Sequence, residues 1–225
     1  MRRNEVLLKI FKALLKAYGP RHWWPAKTRF EVIIGAILTQ NVTWKNAKDS
    51  VDSLREAGML SAEKIIKAPQ RKLAFRIKSS RFYNQKAKNL KAFCSYLMKE
   101  NQGSLNMMFA KDMDILRKEL LGLRGIGQET ADCILLYAGK KPSFVSDAYT
   151  KRLLKRYGLI NKELPYADIR RFFMDNLPED TYIYNEFHAL IVRHGHLTCK
   201  SKPACSACPI KSVDKNIYCK FGGKN

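Results

Sequence analysis

Apolar residues along the chain recur mostly at three- and four-residue intervals. Val6, Leu7, Ile10, Phe11, Leu14, Leu15 and Tyr18 fall on one face of a helix that Gly19-Pro20 closes. The same period predicts helices in "FEVIIGAILTQ" and "WKNAKDSVDSLREAG", the latter closed by Gly58, and in "SAEKIIKA", "NQKAKNLKAFCSYLMKE" and "DMDILRKELLG". It continues through "QETADCILLYAG", "AYTKRLLKRYG", "YADIRRFFMDNL" and "YNEFHALIVRHGHL". No segment alternates with period two for long enough to compete, so the pattern predicts an all-α fold. No fixed-period repeat or low-complexity linker is visible, so two lobes, if present, are closely packed.

Charge changes the picture from fold to partner. Lys and Arg number 42 against 20 Asp and Glu, a formal charge of +22, which points to a polyanion and first to nucleic acid. A membrane would attract the same charge, but there is no uninterrupted apolar run long enough to span one and no helix with a dedicated basic face. Lysines interrupt the apolar residues of the first helix, so it reads as a folded element of a cytoplasmic protein and not as a secretion signal.

Four features carry candidate chemistry. "LLGLRGIGQETAD" breaks two good helices with Gly122, Gly125 and Gly127 around Arg124. Gly122 suits a left-handed helix end, and Gly125 and Gly127 let the chain turn tightly and expose its amides beside the positive end of a new helix. Such a hairpin is either a phosphate site made of backbone or an ordinary helix connection. Asp147, in "KPSFVSDAYTKRLLKRYG", precedes a basic helix; it, or Ser146, reads as an N-cap. Trp23, Trp24 and Trp44 lie close together in sequence and either fill the interior or present stacking faces. Cys199, Cys205, Cys208 and Cys219 cluster in the tail, apart from Cys94 and Cys133 in apolar helical patterns, and read as metal ligands. Zinc and a 4Fe-4S cluster both accept four thiolates.

The glycine hairpin and the elements on either side of it resemble the helix-hairpin-helix motif of the endonuclease III superfamily of DNA glycosylases. "HWWPA", "LTQN" and "SSRFYNQKAKNLKAF" are similar to the Helicobacter-type 3-methyladenine glycosylase branch of that superfamily. The resemblance implies two helical lobes, residues 28–138 and residues 1–27 plus 139–225, with the active cleft between them. It implies that Asp147 is the catalytic carboxylate, facing the scissile glycosidic bond, where negative charge stabilises oxocarbenium character and can orient or deprotonate water. Bifunctional members carry a lysine where this chain has Glu129, and a carboxylate forms no Schiff base, which implies a monofunctional enzyme.

Further roles follow from the same resemblance. Trp24, Pro25 and Trp44, with Glu129, form the base pocket, and a flat aromatic sandwich suits a cationic alkylated purine. Gln40 fills the space left by the flipped nucleotide, with Asn41 near the DNA backbone. Arg124, Gly125, Gly127, Lys200 and Lys202 contact DNA. "HGHLTCKSKPACSACPI" resembles the superfamily's iron-sulfur loop, which makes a 4Fe-4S cluster the expected cofactor and zinc the alternative. The gaps here are five, two and ten residues; the family's first gap is one longer and its last is shorter. The expected activity is excision of alkylated purines in base excision repair, on double-stranded DNA holding a damaged base, by a monomer in the cytoplasm at the nucleoid. The alternatives are a glycosylase for mismatched uracil or thymine or for oxidised pyrimidines, and a non-catalytic helix-hairpin-helix DNA-binding protein.

Overall fold

The computed structural model describes residues 3–214 and 217–221, and two compact units divide the chain, residues 24–141 and residues 1–23 with 142–225. The described elements are helical apart from one short β-hairpin.

In the unit formed by residues 1–23 and 142–225, α1 (Arg3–Tyr18) buries Val6, Leu7, Ile10, Phe11 and Leu14, the stripe its sequence spacing marks out. That stripe packs on α12 (Thr181–Leu197), with Phe11 5.4 Å from Phe187 between ring centroids. Phe144 stacks on Phe173 of α11 (Tyr166–Asn176) at 4.1 Å and meets Phe187 edge-on. α10 (Ala148–Tyr157) also lies on α12. Gly195 makes that approach possible, because a Cβ there would stand 2.3 Å from the Tyr149 ring. The tail ends in the hairpin of β1 (Ser212–Asp214) and β2 (Ile217–Tyr218), too short to leave a period in the sequence.

The other unit runs from α2 to α9. In α2 (Arg29–Leu38) every residue from Glu31 to Leu38 is buried. Each buried Val, Ile or Leu stabilises by about 1.5–3 kcal/mol over its exposed state. Glu31 is the charged exception, and Arg55 of α3 (Trp44–Glu56) answers it with Nε to Oε1 and Nη2 to Oε2, both at 3.0 Å. α4 (Ala62–Lys67) and α5 (Gln70–Arg76) pack on α6 (Tyr83–Asn101). α7 (Leu105–Ala110) leads to α8 (Met113–Leu121), and α9 (Gln128–Cys133) continues into a buried π-helical turn at Ile134–Ala138. α5 and α7 have no counterpart among the sequence-predicted helices. In both the buried residues are chain neighbours, Leu73–Ala74 and Met108–Phe109, so no three-residue repeat shows, whereas α4 buries Ala62 and Ile65.

Candidate functional site

The glycine hairpin joins α8 to α9. Gly122 caps α8 with right-handed backbone at φ −73°, so it does not supply the left-handed residue expected of it. Gly125 does, at φ +75°. A Cβ on Gly125 would also fall 2.0 Å from the Asn89 side chain, so glycine is required there twice over. Gly127 is the extended N-cap of α9, where a Cβ would meet nothing within 4 Å. No side chain crowds this end of α9, the end of a helix that favours an anion. Arg117 of α8 holds the fully buried Asp132 of α9 through two bonds of 2.8 and 3.0 Å, which fixes the two helices on either side of the turn. Arg124 at the tip is exposed and donates to Gln85 Oε1, and Gln85 in turn donates to Asn89.

Gln40 and Asn41 stand in the turn after α2. The Gln40 amide donates to Gly125 O and to Thr130 Oγ1, each at 2.8 Å, so the turn is tied to the hairpin; Asn41 is exposed at φ +55°. The same turn is held from beneath by Lys86. Its buried amine donates to the carbonyls of Leu38, Gln40 and Ser80, and burial pushes it down to about 8. Sequence pattern missed this lysine, because nothing in a helix-period reading marks a charged residue as buried. It also missed Phe82, which is 68% exposed and left-handed at φ +41°, next to Arg81 at φ +53°. An exposed aromatic on two adjacent left-handed residues is an unusual surface feature, a short way along the chain from the lysine that holds Gln40.

Trp24, Pro25 and Trp44 line one open cavity of about 400 Å³ with Lys27, Glu31, Lys48, Asp52 and Arg55, a size in the range of small-ligand pockets. The two indoles meet edge to face at 5.0 Å and 87°, not as two parallel plates. Trp24 rests over Gly35, whose Cβ would lie 3.2 Å from the ring, and meets Tyr137 at 5.5 Å. Glu129 is not brought to this cavity; it is exposed in the first turn of α9. The rim is ionic. Asp52 pairs with Lys48 and Arg55, and these hydrogen bonds hold its carboxyl below the usual range.

Asp147 is the N-cap of α10. Its Oδ1 accepts from the Thr150 amide at 2.8 Å and from the Thr150 hydroxyl at 3.0 Å. Its Oδ2 lies 3.6 Å from His188 Nε2 on α12, with the two side chains 13% and 9% exposed. Burial pushes this carboxyl up, but His188 and the two Thr150 bonds outweigh it and hold the group below its ordinary value. The capping role and an ionised, buried carboxylate therefore coexist in one residue. His188 was not singled out in the sequence; an imidazole inside an apolar helix gives no sign of what it faces. Two residues earlier, buried Glu186 accepts from the amides of Arg21 and His22 at 2.6 and 2.8 Å.

Cys199, Cys205, Cys208 and Cys219 are unpaired thiols that line one cavity with Leu153, Arg156, Tyr157, His194 and Ile210. Arg156 Nη1 lies 2.9 Å from Cys199 Sγ, and its carbonyl accepts from the Lys220 amide, so one residue grips both ends of the loop. Burial, with the other three thiols nearby, pushes Cys208 up to about 11. Among the described residues no group of three or more His, Cys, Asp or Glu converges closely enough to hold a single metal ion. Lys200 and Lys202 are exposed on the same loop.

The glycine hairpin, the buried aspartate capping the next basic helix and the cysteine loop are the features on which the resemblance to the helix-hairpin-helix DNA glycosylases rests. Residues 34–179 match the model of the HhH-GPD superfamily base excision DNA repair proteins, and the chain belongs to that family. It is thus a base excision repair DNA glycosylase. Among individual relatives, it is 48% identical over 209 residues to a Methanocaldococcus jannaschii protein provisionally named a DNA repair glycosylase, covering 92% of this chain and 94% of that one. It is 30% identical to endonuclease III of Sulfolobus acidocaldarius, over 87% of this chain and 84% of the other. The solved structure of Helicobacter pylori 3-methyladenine DNA glycosylase bound to 1,N6-ethenoadenine is similar at 31% identity and TM-score 0.75, covering 87% of this chain and 98% of that one. A non-covalent complex of endonuclease III with DNA shares the fold at TM-score 0.82 and 22% identity, covering 99% and 97%. No helix among the described residues is long and apolar enough to cross a membrane.

Proposed function

We propose that the protein is a monofunctional DNA glycosylase that excises alkylated purines of the 3-methyladenine type. The observation that carries this reading is the joint placement of Trp24, Pro25 and Trp44 on one cavity, in a chain 31% identical to the Helicobacter pylori enzyme bound to an alkylated adenine. Indole faces attract a cationic base by roughly 0.5–2 kcal/mol per favourable contact. Such a base is already a good leaving group. Water attacks C1′ of the sugar, the N-glycosidic bond breaks, and its electron pair leaves with the base. The Asp147 carboxylate stabilises the oxocarbenium-like sugar and receives the proton of the attacking water.

A lyase step would need an amine at the sugar. Glu129 stands in the position that carries the nucleophilic lysine in bifunctional members, Lys141 donates to Lys111 O, and Lys86 serves three carbonyls. Gln40, Asn41, Arg124, Gly125, Gly127, Lys200 and Lys202 make up the DNA-contacting set. The four cysteines fit an iron-sulfur cluster, because all four soft donors line the same cavity. Cys199, Cys205, Cys208 and Cys219 would hold it, and it would then tie the loop that presents Lys200 and Lys202. The test is base release from methylated duplex DNA by wild type and Asp147→Asn, with borohydride present in a parallel reaction. Release lost in Asp147→Asn with DNA binding kept, and no borohydride-trapped enzyme–DNA adduct, is the expected result. Release by Asp147→Asn removes the catalytic assignment, and a trapped adduct overturns the monofunctional one.

A further inference from the structure

Asp147 has two carboxylate oxygens in different surroundings. Oδ1 is fixed from its own helix by the Thr150 amide and hydroxyl. Oδ2 faces α12, and the group opposite it is the His188 imidazole, with Nε2 3.6 Å away and both side chains almost wholly buried. The packing that brings them together is specific. Gly195, seven residues after His188 and so on the same side of α12, admits the Tyr149 ring of α10. The N-terminus of α10 is thereby drawn onto the face of α12 that carries the imidazole.

We propose that His188 is a positioning residue for Asp147, holding the second carboxylate oxygen while Thr150 holds the first. This inference rests on Asp147 being the catalytic carboxylate. A carboxylate capping a helix alone could rotate about its last torsion and offer either oxygen. With the His188 imidazole packed against Oδ2 from a second helix, Nε2 at 3.6 Å, that torsion is confined and the carboxylate plane is set. The groups that face Asp147 are His188 from α12 and Thr150 from α10, and both act on it in the same direction, favouring the anion. His188 touches no substrate atom in this account, and its effect on the reaction passes through Asp147.

The test compares His188→Gln, which keeps an N–H at similar reach, with His188→Leu, which fills the space without a donor. Single-turnover base release is measured from pH 4 to pH 8 on duplexes carrying methylated purines or uracil opposite guanine, alongside DNA affinity and an Asp147→Asn control. His188→Leu is expected to lose about tenfold in rate, because the carboxylate is no longer held in one orientation. Its DNA affinity stays unchanged and the acid limb of its profile moves to higher pH. His188→Gln recovers most of the rate. Equal rates and the same acid limb in the Leu and Gln variants, or an equal loss in both, overturn the role of His188 while Asp147→Asn remains inactive. If Asp147→Asn itself releases base, the failure lies with the catalytic assignment and not with the pairing.

Discussion

Gly125→Ala separates the two reasons for glycine at the hairpin and gives the sharpest stability prediction. Left-handed backbone at φ +75° costs a non-glycine residue about 1–2 kcal/mol. The new methyl would also overlap the Asn89 side chain at 2.0 Å, and forcing extra atoms into a packed site costs about 1–3 kcal/mol. The sum is about 2–5 kcal/mol. For a chain of 225 residues each kcal/mol lowers Tm by roughly 2–4 °C. Gly127→Ala, at φ −87° with open space around it, should cost under about 0.5 kcal/mol and act on DNA binding instead. Adding Asn89→Ala to Gly125→Ala should return the clash contribution and leave the backbone one, so the double variant is more stable than additivity predicts. Urea unfolding of Gly125→Ala, Gly127→Ala, Asn89→Ala and the Gly125→Ala/Asn89→Ala double variant is the assay. A Gly125→Ala variant no less stable than Gly127→Ala refutes the reasoning.

Three further outcomes follow from the same geometry. Lys86→Met strips the carbonyls of Leu38, Gln40 and Ser80 of their donor, and at about 1–3 kcal/mol for each unsatisfied group it should destabilise by at least about 3 kcal/mol in urea unfolding. Because the folded state holds Asp147 below its ordinary value, its ionised form stabilises the fold above about pH 4, and that contribution is lost as pH falls through the lowered value. The Tm advantage of wild type over Asp147→Asn should therefore shrink between pH 5 and pH 3, and an advantage that grows on acidification contradicts the assignment. Protein purified without oxygen should be brown, with about four irons and four sulfides per chain. A colourless protein with one zinc would replace the cofactor.

The long helices were legible because each repeats an apolar face, as Val6, Ile10 and Leu14 do in α1. α5 and α7 were not, since each buries only two adjacent residues and shows no three- or four-residue repeat. The division of the hairpin glycines was only half readable. Composition marks a tight turn, but it does not say which glycine takes positive φ, nor that Asn89, distant in sequence, packs where a Cβ on Gly125 would stand. The N-cap character of Asp147 was legible from the helix that follows it, whereas its partner His188 comes from another helix 41 positions on. The same separation hides Lys86 beneath the Gln40 turn. Spacing gathers the tryptophans and the four cysteines into candidate sets, yet it carries no angle between ring planes, and so the edge-to-face meeting of Trp24 and Trp44 had to come from the structure.

The most direct measurement is base release from duplex DNA containing 3-methyladenine, 7-methylguanine, or uracil or thymine opposite guanine, with strand integrity read before and after alkali. Release of methylated purines, with strand breaks appearing only after alkali, is the predicted result. Release confined to uracil or thymine, or breaks without alkali, would contradict the proposed substrate class in the first case and the water-only mechanism in the second.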